Sequence, residues 1–145
     1  MEIHFACSEL KIAQCFPVMV QLRPHLDPAE FVSRVQRQQR VGYHLVYLDV
    51  DEAVRAVVGF RILETLAHGK ILYVDDLVTD VVAHGKGYGT TLMNWLVGYA
   101  KSQQCRSLQL DSGVQRSQAH RFYFGRHLSI TAFRFAQSLD SNLGD

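Results

Sequence analysis

Lys70-Ile71-Leu72-Tyr73-Val74-Asp75-Asp76-Leu77-Val78-Thr79 is apolar almost throughout, the pattern of a central strand covered on both faces. It leads through Val82-Ala83 into a glycine-rich loop, His84-Gly85-Lys86-Gly87-Tyr88-Gly89. From Thr90 to Gln103, Leu92, Met93, Leu96, Val97, Tyr99 and Ala100 form an apolar stripe opposite Asn94, Lys101 and Ser102, which predicts an amphipathic helix. Strand, glycine loop and helix in this order expose backbone N–H groups at a helix N-terminus, where the helix dipole also favours an anion. Such a unit needs a sheet to carry the strand and suits a phosphate-bearing ligand.

The rest of the chain supplies that sheet. Glu2 to Cys7 reads as a short first strand. Ser8 is a candidate N-cap for a helix carrying Leu10, Ile12, Ala13 and Phe16, which Pro17 is expected to interrupt, with Val18, Met19 and Leu22 extending or restarting it. Asp27-Pro28 opens a second helix with Phe31, Val32 and Val35 inward and Arg34, Arg37 and Arg40 mainly on a solvated face. Tyr43 to Leu48 and Ala53 to Leu63 read as a hairpin joined at Asp49-Val50-Asp51-Glu52, and Ala67-His68-Gly69 turns into the strand described above. Arg106 to Asp111 is a further strand, about Arg116 to Arg126 a helix, and Ile130 to Phe135 a last strand. This order, β-α-α-β-β-β then α-β-α-β, predicts a mixed α/β fold.

The length of 145 residues suits one domain spanning 1–145, with 138–145 expected to be a flexible tail. A formal net charge of +1 gives no field for drawing in a nucleic acid. Met1-Glu2-Ile3-His4-Phe5 is no signal peptide, and no apolar run approaches the ~20 residues of a membrane helix, so a soluble cytoplasmic protein is expected. Cys7, Cys15 and Cys105 form no C-x-x-C pair, and the seven histidines form no H-E-x-x-H, so neither a disulfide framework nor a protein-bound metal is expected.

The loop is not a P-loop, because no lysine followed by Ser or Thr closes it. A dinucleotide fold is nearer, since Asp111 ends the next strand at a fitting distance. Yet Leu92 stands where the third glycine would be, and no second nucleotide-binding half follows. No Ser-His-Asp arrangement is legible, and Asp111-Ser112-Gly113 reads as a strand-ending turn.

The loop resembles the Arg/Gln-x-x-Gly-x-Gly/Ala signature of the GNAT superfamily of acetyl-CoA-dependent N-acetyltransferases, except that His84 takes the first position. Val74 to Asp80 is similar to the strand before that signature. Gln115-Arg116-Ser117-Gln118-Ala119-His120-Arg121-Phe122-Tyr123 is similar to the family's second motif, with His127 near the position where a glycine normally ends it. The resemblance implies a central mixed, mostly antiparallel sheet of about six strands flanked by about four helices and splayed at a bulge between the fourth and fifth strands. It implies acetyl-CoA as cosubstrate in that gap, with pantetheine along Leu77, Val78 and Thr79 and the pyrophosphate on the loop from His84 through Gly85, Lys86, Gly87, Tyr88 and Gly89 to Thr90. The acceptor would be a primary amine of a small molecule or peptide, and a homodimer is left open.

Acetyl transfer to an amine needs a proton acceptor for the ammonium, an oxyanion donor and a proton for the leaving thiolate. Asp75 and Asp76 are the candidate acceptors. On a regular strand only one of them would face the acceptor, and Asp76, directly before Leu77, is favoured. A backbone N–H near Leu77 or Val78 would meet the oxyanion, and Tyr123, a phenol protonated at neutral pH, is the candidate proton donor. Arg23, His25, Arg34 and Arg37 are expected to border the acceptor pocket and would suit an acidic or phosphonate-bearing amine. A non-catalytic acyl-CoA-binding or sensor domain with the same fold is the alternative, favoured by His84 and His127. Asp75, Asp76 and Tyr123 favour the enzyme.

Overall fold

Capping fixes where the first helices begin. After strand β1, Glu2–Phe5, the Ser8 hydroxyl accepts the Lys11 N–H at 3.2 Å and starts helix α1, Glu9–Leu22. Asp27 accepts the Ala29 N–H at 2.9 Å, and with Pro28 in the first turn it starts helix α2, Pro28–Gln39. Contrary to the expected interruption, α1 runs straight through Pro17. The proline removes one backbone donor, but Ile12, Cys15, Val18 and Met19 are all buried along one side, and burying that stripe outweighs the lost bond.

The computed structural model describes residues 1–140, which gather into two compact units that divide between Leu110 and Asp111. The first unit holds one sheet in the order β1-β2-β3-β4-β5. Strands β2, Tyr43–Val50, β3, Ala53–Thr65, and β4, Gly69–Thr79, follow one another as antiparallel neighbours. Asp51 and Glu52, both at positive φ, make the tight turn between β2 and β3. Helix α3, Tyr88–Ser102, then carries the chain over to β5, Ser107–Leu110, which pairs parallel to β4.

Side chains from α1 and α2 form one core with Tyr43, Leu45, Tyr47 and Val57 on one face of the sheet. On the other face α3 buries Leu92, Met93 and Leu96, and Phe60 of β3 meets Trp95 and Tyr99 edge-on. Each fully buried side chain of this size contributes roughly 1.5–3 kcal/mol.

The second unit contains helix α4, Ser117–Gly125, close to the expected span. The expected strand from Ile130 to Phe135 is not formed, so among the described residues the sheet has five strands and not six. Ile130, Phe133 and Phe135 are 70%, 83% and 93% exposed. Their alternation is strand-like, but a strand is secured by a partner's hydrogen bonds, and the segment pairs with no strand here. Of the expected tail, Ser138 to Asp140 has no regular structure, and residues 141–145 lie outside those described.

Candidate active site

Strand β4 changes character at Asp75. Val74 stands opposite Phe60 and Asp76 opposite Gly59, so Asp75 is an extra residue with no partner on β3, a β-bulge. Pairing with β5 covers Ile71 to Val74 and goes no further, while β4 continues to Thr79 against β3 alone. The sheet therefore opens between its fourth and fifth strands at the bulge, leaving the β5-facing edge of Asp75 to Thr79 outside the ladder.

The bulge also changes which way the carboxylates point. A regular strand would send Asp75 and Asp76 to opposite faces, whereas here both line one cavity. Asp76 accepts the Tyr43 hydroxyl at 2.8 Å and the Arg23 Nε–H at 2.9 Å, one on each oxygen. Arg23 also donates through Nη2 to the Asp75 carbonyl at 2.9 Å. Arg61 Nε reaches both Asp75 oxygens, at 3.1 and 2.9 Å, and its Nη2 donates to Gln38 at 2.8 Å. The same guanidinium lies 5.3 Å from the centre of the Tyr43 ring.

Burial pushes the Asp75 carboxyl above its ordinary value, Arg61 pulls it back, and the net direction is up. Burial and then the neighbouring Asp76 raise the Tyr43 phenol well above its usual range, so it remains a donor.

The cavity in front of this cluster holds about 320 Å³ and is walled by α1, α2 and the loop between them. Arg23, His25 and Arg34 line it as the sequence suggested, while Arg37 does not. Gln38 and the apolar Met19, Leu26 and Phe31 complete much of the wall.

From Thr79 the chain is clamped before it reaches the glycine loop. Asp80 caps a short 3-10 turn, Val81–Ala83, by accepting the Val82 N–H at 3.3 Å. It is held by Gln21 at 3.1 Å and Arg55 at 3.2 Å, and the Gln21 side-chain Oε1 accepts the Val81 N–H at 2.9 Å. His84 turns its ring back and donates to the Thr79 carbonyl at 3.1 Å. Gly85 and Gly87 both have positive φ, and Gly87 is the N-cap of α3. The first hydrogen bond of the helix runs from the Thr91 N–H to Gly87, so the N–H groups of Tyr88, Gly89 and Thr90 precede it.

Tyr123 belongs to the second unit, half-buried on α4 with its ring edge-on to Phe122. His120 ties the start of that helix to the preceding turn by a 2.7 Å contact to the Gly113 carbonyl. Beyond α4, His127 has a positive φ of 70°. Its N–H bonds to Phe124 and that of Leu128 to Tyr123, the pair of bonds by which a glycine usually closes a helix. The histidine thus adopts the left-handed backbone that a glycine usually supplies at a helix end.

Tyr43, Gln38 and Arg61 escaped the sequence reading. For Tyr43 the signal was Gly59 within Val57-Val58-Gly59-Phe60, since an isolated glycine in a strand marks a bulge or a close approach.

The description "Acetyltransferase (GNAT) family" applies to a family model that matches residues 11–126. The chain belongs to the GNAT acetyltransferase family. YhdJ of Bacillus subtilis (strain 168), described as an uncharacterized N-acetyltransferase, is 34% identical over 117 residues, 80% of this chain and 82% of that protein. Among solved structures, a tetramutant of the BH1408 protein from Bacillus halodurans superposes with a TM-score of 0.78 at 19% identity, covering 96% of this chain and 100% of that one. A glucosamine-6-phosphate N-acetyltransferase from Arabidopsis thaliana gives 0.75 at 19% identity, covering 97% and 100%. These two likenesses establish the GNAT fold, which among the described residues comprises a five-stranded open sheet and four α-helices. GNAT enzymes transfer acyl groups, with acetyl-CoA as the typical cosubstrate, to amines of small molecules or peptides. No helix among the described residues is long and apolar enough to cross a membrane.

Proposed function

We propose that this chain transfers the acetyl group of acetyl-CoA to a primary amine of a small molecule or peptide by direct attack in a ternary complex. The observation that carries this reading is the opening of β4 at the Asp75 bulge, beside a cavity walled by two carboxylates. The residues suit the cosubstrate. Leu77, Val78 and Thr79 offer an unshared strand edge for the amides of pantetheine. His84, Gly85, Lys86, Gly87, Tyr88, Gly89 and Thr90 offer a glycine turn and a helix N-terminus for its pyrophosphate.

In this account Asp75 and Asp76 draw the proton from the ammonium, directly or through water. Asp76 is the acceptor favoured from the sequence, and Asp75, whose carboxyl burial pushes up, lines the same cavity beside it. The neutral amine adds to the thioester carbonyl, a backbone N–H of Leu77 or Val78 receives the oxyanion, and the thiolate leaves with a proton from Tyr123. A cytoplasmic setting belongs to the same proposal.

Calorimetric titration with acetyl-CoA, CoA and NADH tests the reading. Binding of both thioester and thiol forms with none of NADH is expected, and NADH binding without CoA binding would overturn it. One observation favours the alternative of a non-catalytic acyl-CoA-binding domain: the oxygens of both carboxylates are already taken by Arg23, Tyr43 and Arg61. Thiol release in the presence of amines separates the two.

A further inference from the structure

The cavity contains more positive charge than its carboxylates need. Asp76 is paired with Arg23, whose second nitrogen is used by the Asp75 carbonyl, and Asp75 is paired with Arg61 from behind the wall. Both negative charges are thus matched before any ligand enters. Arg34, on the α2 wall, makes no hydrogen bond or ion pair among the described residues, and the His25 imidazole lies in the same wall on the α1–α2 loop. A polyamine would bring several cations to a pocket whose acids are already neutralised and whose open charge is a guanidinium. A plain alkylamine would leave Arg34 without a partner. A ligand carrying an amine together with an anionic group satisfies both ends, since guanidinium meets carboxylate or phosphonate oxygens with paired donors.

We infer that the acceptor is an amine bearing a carboxylate or phosphonate, with Arg34 holding the anionic group while the amine lies toward Asp75 and Asp76. This rests on the acetyltransferase reading of the same site and narrows it to a substrate class.

Three short amines of similar reach, β-alanine, aminoethylphosphonate and propylamine, and the longer polycation spermidine decide the matter. Each is offered with acetyl-CoA while thiol release is followed, and each is also titrated calorimetrically into the protein saturated with CoA. One or both acidic amines should be the best substrates, and the comparison between them tells carboxylate from phosphonate. Arg34→Glu should lower the ratio of kcat/KM for the acidic amine over that for propylamine by about ten- to a hundred-fold, the span expected for losing a charged hydrogen bond. Arg37→Glu, on the same helix but outside the cavity wall, should leave the ratio as it is. Turnover that favours spermidine or propylamine would overturn the inference and leave the enzyme reading standing. Arg34-dependent binding of an acidic amine with no turnover of any amine would sink the enzyme reading, and with it the acceptor role, and leave only an acidic-amine binding site at Arg34. Absence of both binding and turnover for the acidic amines would overturn the inference, and the acetyl-CoA titration then decides the fate of the reading beneath it.

Discussion

The Tyr43 hydroxyl donates to Asp76 Oδ2 at 2.8 Å, and it reaches that oxygen across the one position in mid-strand β3 that has no side chain. A Cβ at Gly59 would overlap the Tyr43 hydroxyl and ring. The same glycine stands opposite Asp76, next to the step where β4 gains its extra residue. One missing methyl group therefore lets a buried phenol orient a carboxylate at the mouth of the opened sheet.

Gly59→Ala should accordingly be costly. Tyr43 is only 4% exposed and has no room to swing away, so the sheet must shift or the hydroxyl must leave Asp76. Overpacking of this kind costs about 1–3 kcal/mol, to be read from urea unfolding. A fully stable variant would show that Tyr43 is free to move.

Asp80 fixes the approach to the glycine loop, and its contribution depends on pH. Burial would raise its carboxyl, but hydrogen bonds from Gln21, Val82 and Arg55 outweigh this and hold it below its ordinary value of 3.8. A carboxylate lowered in the folded state stabilises the protein above its unfolded value, and the gain is lost as pH falls through the folded one. Asp80→Asn should therefore lower the unfolding midpoint at neutral pH, and its difference from the parent should shrink below pH 3.8. A difference that stays constant down to strong acid would contradict the assignment.

His127→Gly should stabilise the end of α4. A side chain in the left-handed region costs roughly 1–2 kcal/mol, and glycine gives back up to about 1 kcal/mol in chain entropy. The net gain expected in a thermal melt is up to about 1 kcal/mol. A loss would mean that the imidazole makes contacts worth more than its backbone strain.

The element order as far as helix α4, the caps at Ser8 and Asp27 and the loop from His84 to Gly89 could be read from the sequence because they rest on local chemistry: a side-chain oxygen for an orphan donor, a glycine for a positive φ. The bulge at Asp75 could not, since a bulge is a mismatch between two strands and appears only when β3 and β4 are paired. Regular alternation consequently put Asp75 and Asp76 on opposite faces. Arg61 and Gln38, 23 positions apart, meet only once α2 lies on the sheet. The segment 130–135 went wrong in the opposite sense: its alternation is genuine, yet a pattern supplies no partner strand.

Tyr123→Phe keeps the ring and removes the hydroxyl. If Tyr123 protonates the leaving thiolate, CoA affinity should persist while turnover falls ~10²- to 10⁴-fold. A structural tyrosine would instead cost about 1 kcal/mol of stability with turnover nearly intact. Steady-state kinetics beside a CoA titration and a melt distinguish the two.

The most direct test of the account is the reaction itself: purified protein, acetyl-CoA and the four amines named above, with free thiol and acetylated amine measured together, the second by mass spectrometry. The account predicts protein-dependent release of CoA matched mole for mole by an acetylated amine. Tight CoA binding with no amine acetylated across the carboxylate, phosphonate, neutral and polycationic members would contradict it.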